Sequence, residues 1–161
     1  MTELKDKGAP LRRITLAIDA SNASAKAVAF VQKKFQLDQS TGKDGKVPIH
    51  VTVVHVMARR PLAPIEFRFS APWIKSEKKA KDVGHKLVKH SAQQLIKAGF
   101  TAEPICKTGD PAEEIMKVAT KQNADLIVMG NKGLGTIDRV LLGSVSMQVL
   151  QYAHCPVLVV R

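Results

Sequence analysis

Four positions late in the chain, Gly130, Gly133, Gly143 and Ser144, have types and spacing suited to holding an anion. Glycines put no Cβ in a ligand's way and reach positive φ freely, so their amides can turn inward together on a phosphate. Gly135 adds another glycine to the first cluster. Gly143-Ser144 then opens a helical pattern through Val145, Val149, Leu150 and Ala153. Unpaired amides at a helix start favour negative charge by about 0.3–1 kcal/mol. Two better-known phosphate motifs do not fit. Gly130 to Thr136 has the glycine spacing of a Walker A loop, but Thr136 follows Gly135 directly and the lysine is missing. Gly133-Leu-Gly135 begins like a dinucleotide fingerprint, yet Asp138 stands where the third glycine belongs.

These residues need elements to position them. Asp125 to Met129 is a short apolar run, as expected of a parallel strand covered on both faces, and Gly130 ends it. Near the start, Ile14, Leu16 and Ile18 alternate with Thr15 and Ala17 in a first strand that stops at Asp19. Ser21 and Asn22 are N-cap candidates for a helix carrying Ala27, Val28, Val31 and Phe35. Ile49 to Met57 reads as a second strand. Residues 58–75 hold Pro61, Pro64 and Pro72 without a clear period and read as a loop, with Trp73 either a lid or an anchor for it. A helix from about Ser76 to Ala98 follows, with Gly99 as its stop. Pro104 removes a ladder donor from the third strand, Thr101 to Lys107, which therefore belongs at a sheet edge. Asp110-Pro111-Ala112-Glu113 reads as N-cap, proline at the first helical position and reciprocal glutamate. Val157 to Val160 is a fifth strand. Such alternation predicts an α/β fold, a single domain over 1–161 with an open parallel sheet, helices on both faces and a flexible tail over 1–11.

Composition narrows the function. The chain has 161 residues, 45% of them hydrophobic, enough for one core, and no apolar run of eighteen residues. MTELKDKGAPLRR lacks a signal-peptide stretch, so a soluble, cytoplasmic chain is expected. Cys106 and Cys155 form neither a zinc spacing nor a disulfide framework. The 25 Lys+Arg against 14 Asp+Glu give +11, which brings nucleic acid into consideration. Residues 59–81 hold seven of the basic residues against Glu66 and Glu77, so much of the excess is local. Aromatics at 4% supply no stacking platform. The histidines show no paired ligand spacing, and His55, in an apolar strand, reads as a satisfied core residue. No nucleophile elbow and no Walker lysine are present, so at most slow ATP hydrolysis is expected.

The pattern G-x2-G-x9-G-S, with DLIVMG before it and GSVS…HCPVLVV after it, resembles the ATP-binding branch of the universal stress protein family. ITLAIDASNAS, VVHV and GDPAEEI extend the likeness over nearly the whole chain. The resemblance implies five strands in the order 3-2-1-4-5 and a homodimer through strand 157–160, whose apolar open edge needs a cover. It also implies a crevice between the first and fourth strands that binds ATP, or ADP or AMP, as a stress sensor or switch. Adenine-side contacts would fall on Ala17, Asp19, Val56 and Met129, and phosphate-side contacts on Gly130, Gly133, Gly143, Ser144 and Val145. Ala17 departs from the proline of some relatives. Asp19 either meets the nucleotide, through ribose hydroxyls or Mg²⁺ on the phosphates, or merely caps the following helix. Lys132, Arg139 and Ser146 are further phosphate-side candidates. Two rival classes remain: a nucleic-acid binder using the basic 59–81 segment, and a nucleotide-free dimeric adaptor.

Overall fold

A computed structural model describes residues 11–35, 48–59, 68–133 and 142–161. The elements run β1 (Arg13–Ala17), α1 (Asn22–Phe35), β2 (His50–Ala58), α2 (Ala71–Lys97), β3 (Thr101–Gly109), α3 (Pro111–Lys121), β4 (Leu126–Gly130), α4 (Ser144–Tyr152) and β5 (Val157–Val160). The strands are all parallel, in the order β3-β2-β1-β4-β5. That is the expected order, with Pro104 on an edge strand.

Because side chains alternate along a strand, each central strand feeds two cores. Ile14 and Leu16 of β1 join Val51 and Val53 of β2 and Val128 of β4 beneath α1 and α2, through Val28, Val31, Val88 and Leu95. Ala17, Val54, Ile127 and Met129 point the other way, onto Ile115, Val118 and Ala119 of α3 and Val149 of α4. Continuous apolar runs in β1, β2 and β4 are thus a consequence of burial on both faces. No helix among the described residues is long and apolar enough to cross a membrane.

Helix starts and stops follow local chemistry, with two departures. Gly99, at φ 94°, ends α2 as expected, with the Phe100 amide donating back to the Leu95 carbonyl. The start of α2 lies at Ala71 rather than Ser76. Pro72 belongs to its first turn, where a missing N–H leaves no hydrogen bond unmade, so this proline begins the helix. Residues 71–83 bury nothing fully and so carry no apolar period to reveal them. Trp73 is half-buried in that first turn. Asp110 caps α3 as predicted, its Oδ1 accepting from the Glu113 amide at 2.9 Å. The reciprocal half of the box is absent among the described contacts, because the Glu113 carboxylate turns forward to Lys117 Nζ at 2.9 Å. Asp110→Ala is expected to cost about 1 kcal/mol, lowering Tm by ~2–4 °C in a thermal unfolding scan.

Candidate functional site

Two strand ends make the site. Ala17 of β1 is in register with Met129 of β4, so Asp19, just beyond the end of β1, and Gly130, the last residue of β4, come side by side where the chain leaves the sheet. Order reverses here: β1 continues to β2 on one side, while β4 leads away on the other, which opens a crevice beyond the carboxyl ends. A cavity of about 410 Å³ occupies it. Its lining includes Ala17, Asp19, Val56, Met129, Gly130, Gly133, Gly143, Ser144 and Val145, so the structure brings all nine sequence-predicted residues together. Trp73 is not in the lining.

Asp19 is held by its neighbours. Its Oδ1 accepts from the Ser21 amide at 3.0 Å and from the Ser21 hydroxyl, while its own amide donates to Ser24 Oγ at 2.9 Å. Ser21, not Asp19, caps α1, with its Oγ accepting from the Ser24 amide at 3.1 Å. The capping alternative for Asp19 is therefore replaced by a positioning role for Ser21. The other carboxylate oxygen, Oδ2, faces Gly133, where an added Cβ would lie 3.0 Å from it. Ser21 Oγ also lies 3.2 Å from the Lys132 carbonyl, across a sequence separation of 111 residues, which ties the two walls together.

The glycines work differently from the sequence expectation. Among the described residues only Gly99 and Asn123 have positive φ, so Gly130, Gly133 and Gly143 are not there for backbone handedness. Space explains the first two. A Cβ at Gly130 would meet the carbonyl carbon of Ala23 at 2.8 Å and its Cβ at 2.9 Å, so this glycine lets α1 close against β4. A Cβ at Gly133 would intrude beside Asp19. Gly143 is the N-cap of α4, and its amide donates to the Asn131 carbonyl at 2.7 Å. That amide is used within the fold, so the α4 donors that can face an anion begin with Ser144 and Val145. Gly143 brings no capping side chain to satisfy them. Ser144 is thus the first helical residue rather than the cap.

Ser146, a phosphate-side candidate, is 3% exposed, and its hydroxyl lies 3.2 Å from the Gly130 carbonyl and 3.3 Å from that of Asn131. It pins α4 to the end of β4. Lys132 lines the cavity; Gly135 and Arg139 lie outside the described residues. The sequence reading missed Ile18, Ser24, Met57, Ala58, Pro111 and Ile115 as wall residues. Ile115 belongs to the buried stripe of α3, and nothing local says that the end of this stripe reaches a crevice.

His55 also lines the cavity, with Nδ1 2.9 Å from the Ile18 carbonyl. A carbonyl only accepts, so this contact puts the proton on Nδ1; His55 is hydrogen-bonded as the sequence suggested, but it is half-buried in the cavity wall rather than part of the core. Burial pushes the thiols of Cys106 and Cys155 up from their ordinary range, and Asp125 adds to the effect at Cys155. Both thiols therefore stay protonated, and poor nucleophiles, at neutral pH. Among the described residues no group of three or more His, Cys, Asp and Glu could hold a metal ion, and Asp19 is the one carboxylate in the cavity wall.

A family model described as the universal stress protein family matches residues 10–161. The universal stress protein YxiE of Bacillus subtilis is 31% identical over 152 residues, spanning 92% of this chain and 98% of its own. The solved structure of MJ0577 from Methanocaldococcus jannaschii shares the fold at a TM-score of 0.77 and 27% identity, over 93% of this chain and 95% of that one. A universal stress protein family protein from Arabidopsis thaliana, solved with AMP bound, matches at a TM-score of 0.61 and 21% identity, over 92% and 90% of the two chains. Matched along almost its whole length by the family and by a relative of equal extent, the chain belongs to the universal stress protein family.

Proposed function

We propose that this protein binds an adenine nucleotide, ATP with Mg²⁺, in the cavity between the ends of β1 and β4, and that occupancy switches it in a stress response. The observation that carries this reading is the pairing of Asp19 Oδ2 with Gly133 across a cavity that also reaches the uncapped start of α4. Ala17, Val56, Met129 and Ile115 supply apolar wall for a base. Asp19 suits ribose hydroxyls or a phosphate-bound Mg²⁺, for which it would be a single protein ligand beside phosphate and water oxygens. The backbone around Gly133 and the amides of Ser144 and Val145 suit phosphate. Gly130 and Gly143 shape the pocket rather than donate to it. The AMP carried by the Arabidopsis relative supports the choice of adenine. With no Walker lysine and with His55 engaged, turnover is expected to be slow at most.

The test begins with denaturing the purified protein and resolving its supernatant by ion exchange, which detects a nucleotide carried through purification. Calorimetric titration with ATP·Mg²⁺, ADP, AMP and cyclic AMP then ranks the ligands. Saturable binding of ATP·Mg²⁺ is the expected result; an empty preparation that binds none of the four sinks the reading in favour of an adaptor.

The same reading includes a homodimer through β5. The Ile127 amide donates to the Pro156 carbonyl and the Asn131 amide to the Val160 carbonyl, each at 2.9 Å. By the alternation of a parallel ladder, Val157 and Val159 then turn their backbone groups to the outer edge of the sheet. A second copy, antiparallel across a two-fold axis, would satisfy both edges. Sedimentation at twice the monomer mass is expected, and Val159→Pro, which removes one outward donor, is expected to shift the protein towards monomer.

A further inference from the structure

The two helical layers differ sharply in charge. Together α1 and α2, which cover one face of the sheet, carry ten lysines against Glu77 and Asp82. On the opposite face, α3 and α4 carry Lys117 and Lys121 against Glu113 and Glu114. The excess charge of the described helices therefore lies on one side of the molecule.

It is also ordered along α2. At 100° per residue, Lys75, Lys79, Lys86, Lys89 and Lys97 fall within about 80° of arc, on the side away from Val88 and Leu95. All five are exposed, and among the described residues none is ion-paired. Asp82 is the one carboxylate in the stripe. At 1.5 Å per residue the row is about 33 Å long, close to the ~34 Å of one turn of B-form duplex.

From this geometry we infer that the outer face of α2 binds the phosphate backbone of double-stranded nucleic acid without reading its sequence. A row of lysines gains affinity by releasing counterions, which needs no base contact. No aromatic ring lies within the stripe, so it offers no platform for unstacked bases. A bilayer suits it poorly, because the exposed Ile74 and Val83 flank the row on opposite sides instead of forming an apolar ridge. The surface lies on α2, C-terminal to most of the 59–81 segment that the sequence had suggested, and is separate from the cavity lining.

The experiment is fluorescence anisotropy with a labelled 24-base-pair DNA duplex of scrambled sequence. Four to five neutralised phosphates predict an affinity loss of roughly 150- to 500-fold between 50 and 200 mM KCl. Lys86→Glu with Lys89→Glu is expected to weaken binding at least tenfold at 50 mM. The control pair, Lys107→Glu with Lys121→Glu, removes the same net charge away from this face and is expected to change it less than threefold. Equal losses in the two pairs would mean that net charge alone is responsible and would overturn the inference. So would an absence of duplex binding at 50 mM, or tighter binding to phosphatidylserine-containing vesicles than to the duplex.

Discussion

Replacing Gly133 by valine is expected to weaken nucleotide binding at least 100-fold while leaving the fold intact. The new Cβ would sit 3.0 Å from Asp19 Oδ2, and two methyl groups would follow it into the gap between the cavity walls. Asp19 has little room to retreat, because its other oxygen is held by the Ser21 amide and hydroxyl. The fold has no comparable objection. Gly133 is exposed, its φ is not in the left-handed region, and among the described residues no other atom outside its immediate chain neighbours lies within 4 Å of the added Cβ. Surface changes of this kind typically fall within about 0.5 kcal/mol, so Tm should move by no more than ~2 °C. Titration with ATP·Mg²⁺ beside a thermal scan checks both halves. An affinity equal to that of the unsubstituted protein would remove the crevice from consideration as the nucleotide site.

Three residues earlier the expectation reverses. Gly130→Ala is expected to destabilise the protein by about 2 kcal/mol, a Tm decrease of ~4–8 °C. Its Cβ would press on Ala23 through backbone atoms that belong to the first turn of α1, so no side-chain rotation relieves the contact. The helix itself must move away from β4. Alanine recovers part of the loss by restricting the unfolded chain, ~0.4–1 kcal/mol, which is why the net cost is not larger. Urea titration followed by circular dichroism gives the number directly. A midpoint unchanged from the parent would show that α1 and β4 are not packed as closely as described. Two glycines of one motif thus separate: one protects packing and the other protects an opening.

Much of the architecture was legible in the sequence because it rests on interactions along the chain. Alternating apolar residues marked β1, a short apolar run marked β4, and Asp110-Pro111 marked where α3 begins. Pro104 placed β3 at an edge for a reason contained in one residue, its missing N–H. The early start of α2 was not legible, since residues 71–83 are largely exposed and leave no apolar period, and Pro72 resembles a breaker unless its place in the first turn is known.

The site divides along the same line. From the sequence alone came part of the pocket's membership: the spacing of Gly130, Gly133, Gly143 and Ser144, and Asp19 at the end of the first strand. Only the tertiary structure decided what each does. Gly130 meets Ala23, Gly133 meets Asp19, the Gly143 amide is taken by Asn131, and Ser146 is turned to the end of β4. The one-sided charge of the molecule was decided there too, by which helices share a face. Spacing along a chain fixes periodicity and backbone chemistry, but whether a Cβ has room or an amide has a partner depends on atoms that only strand order brings near.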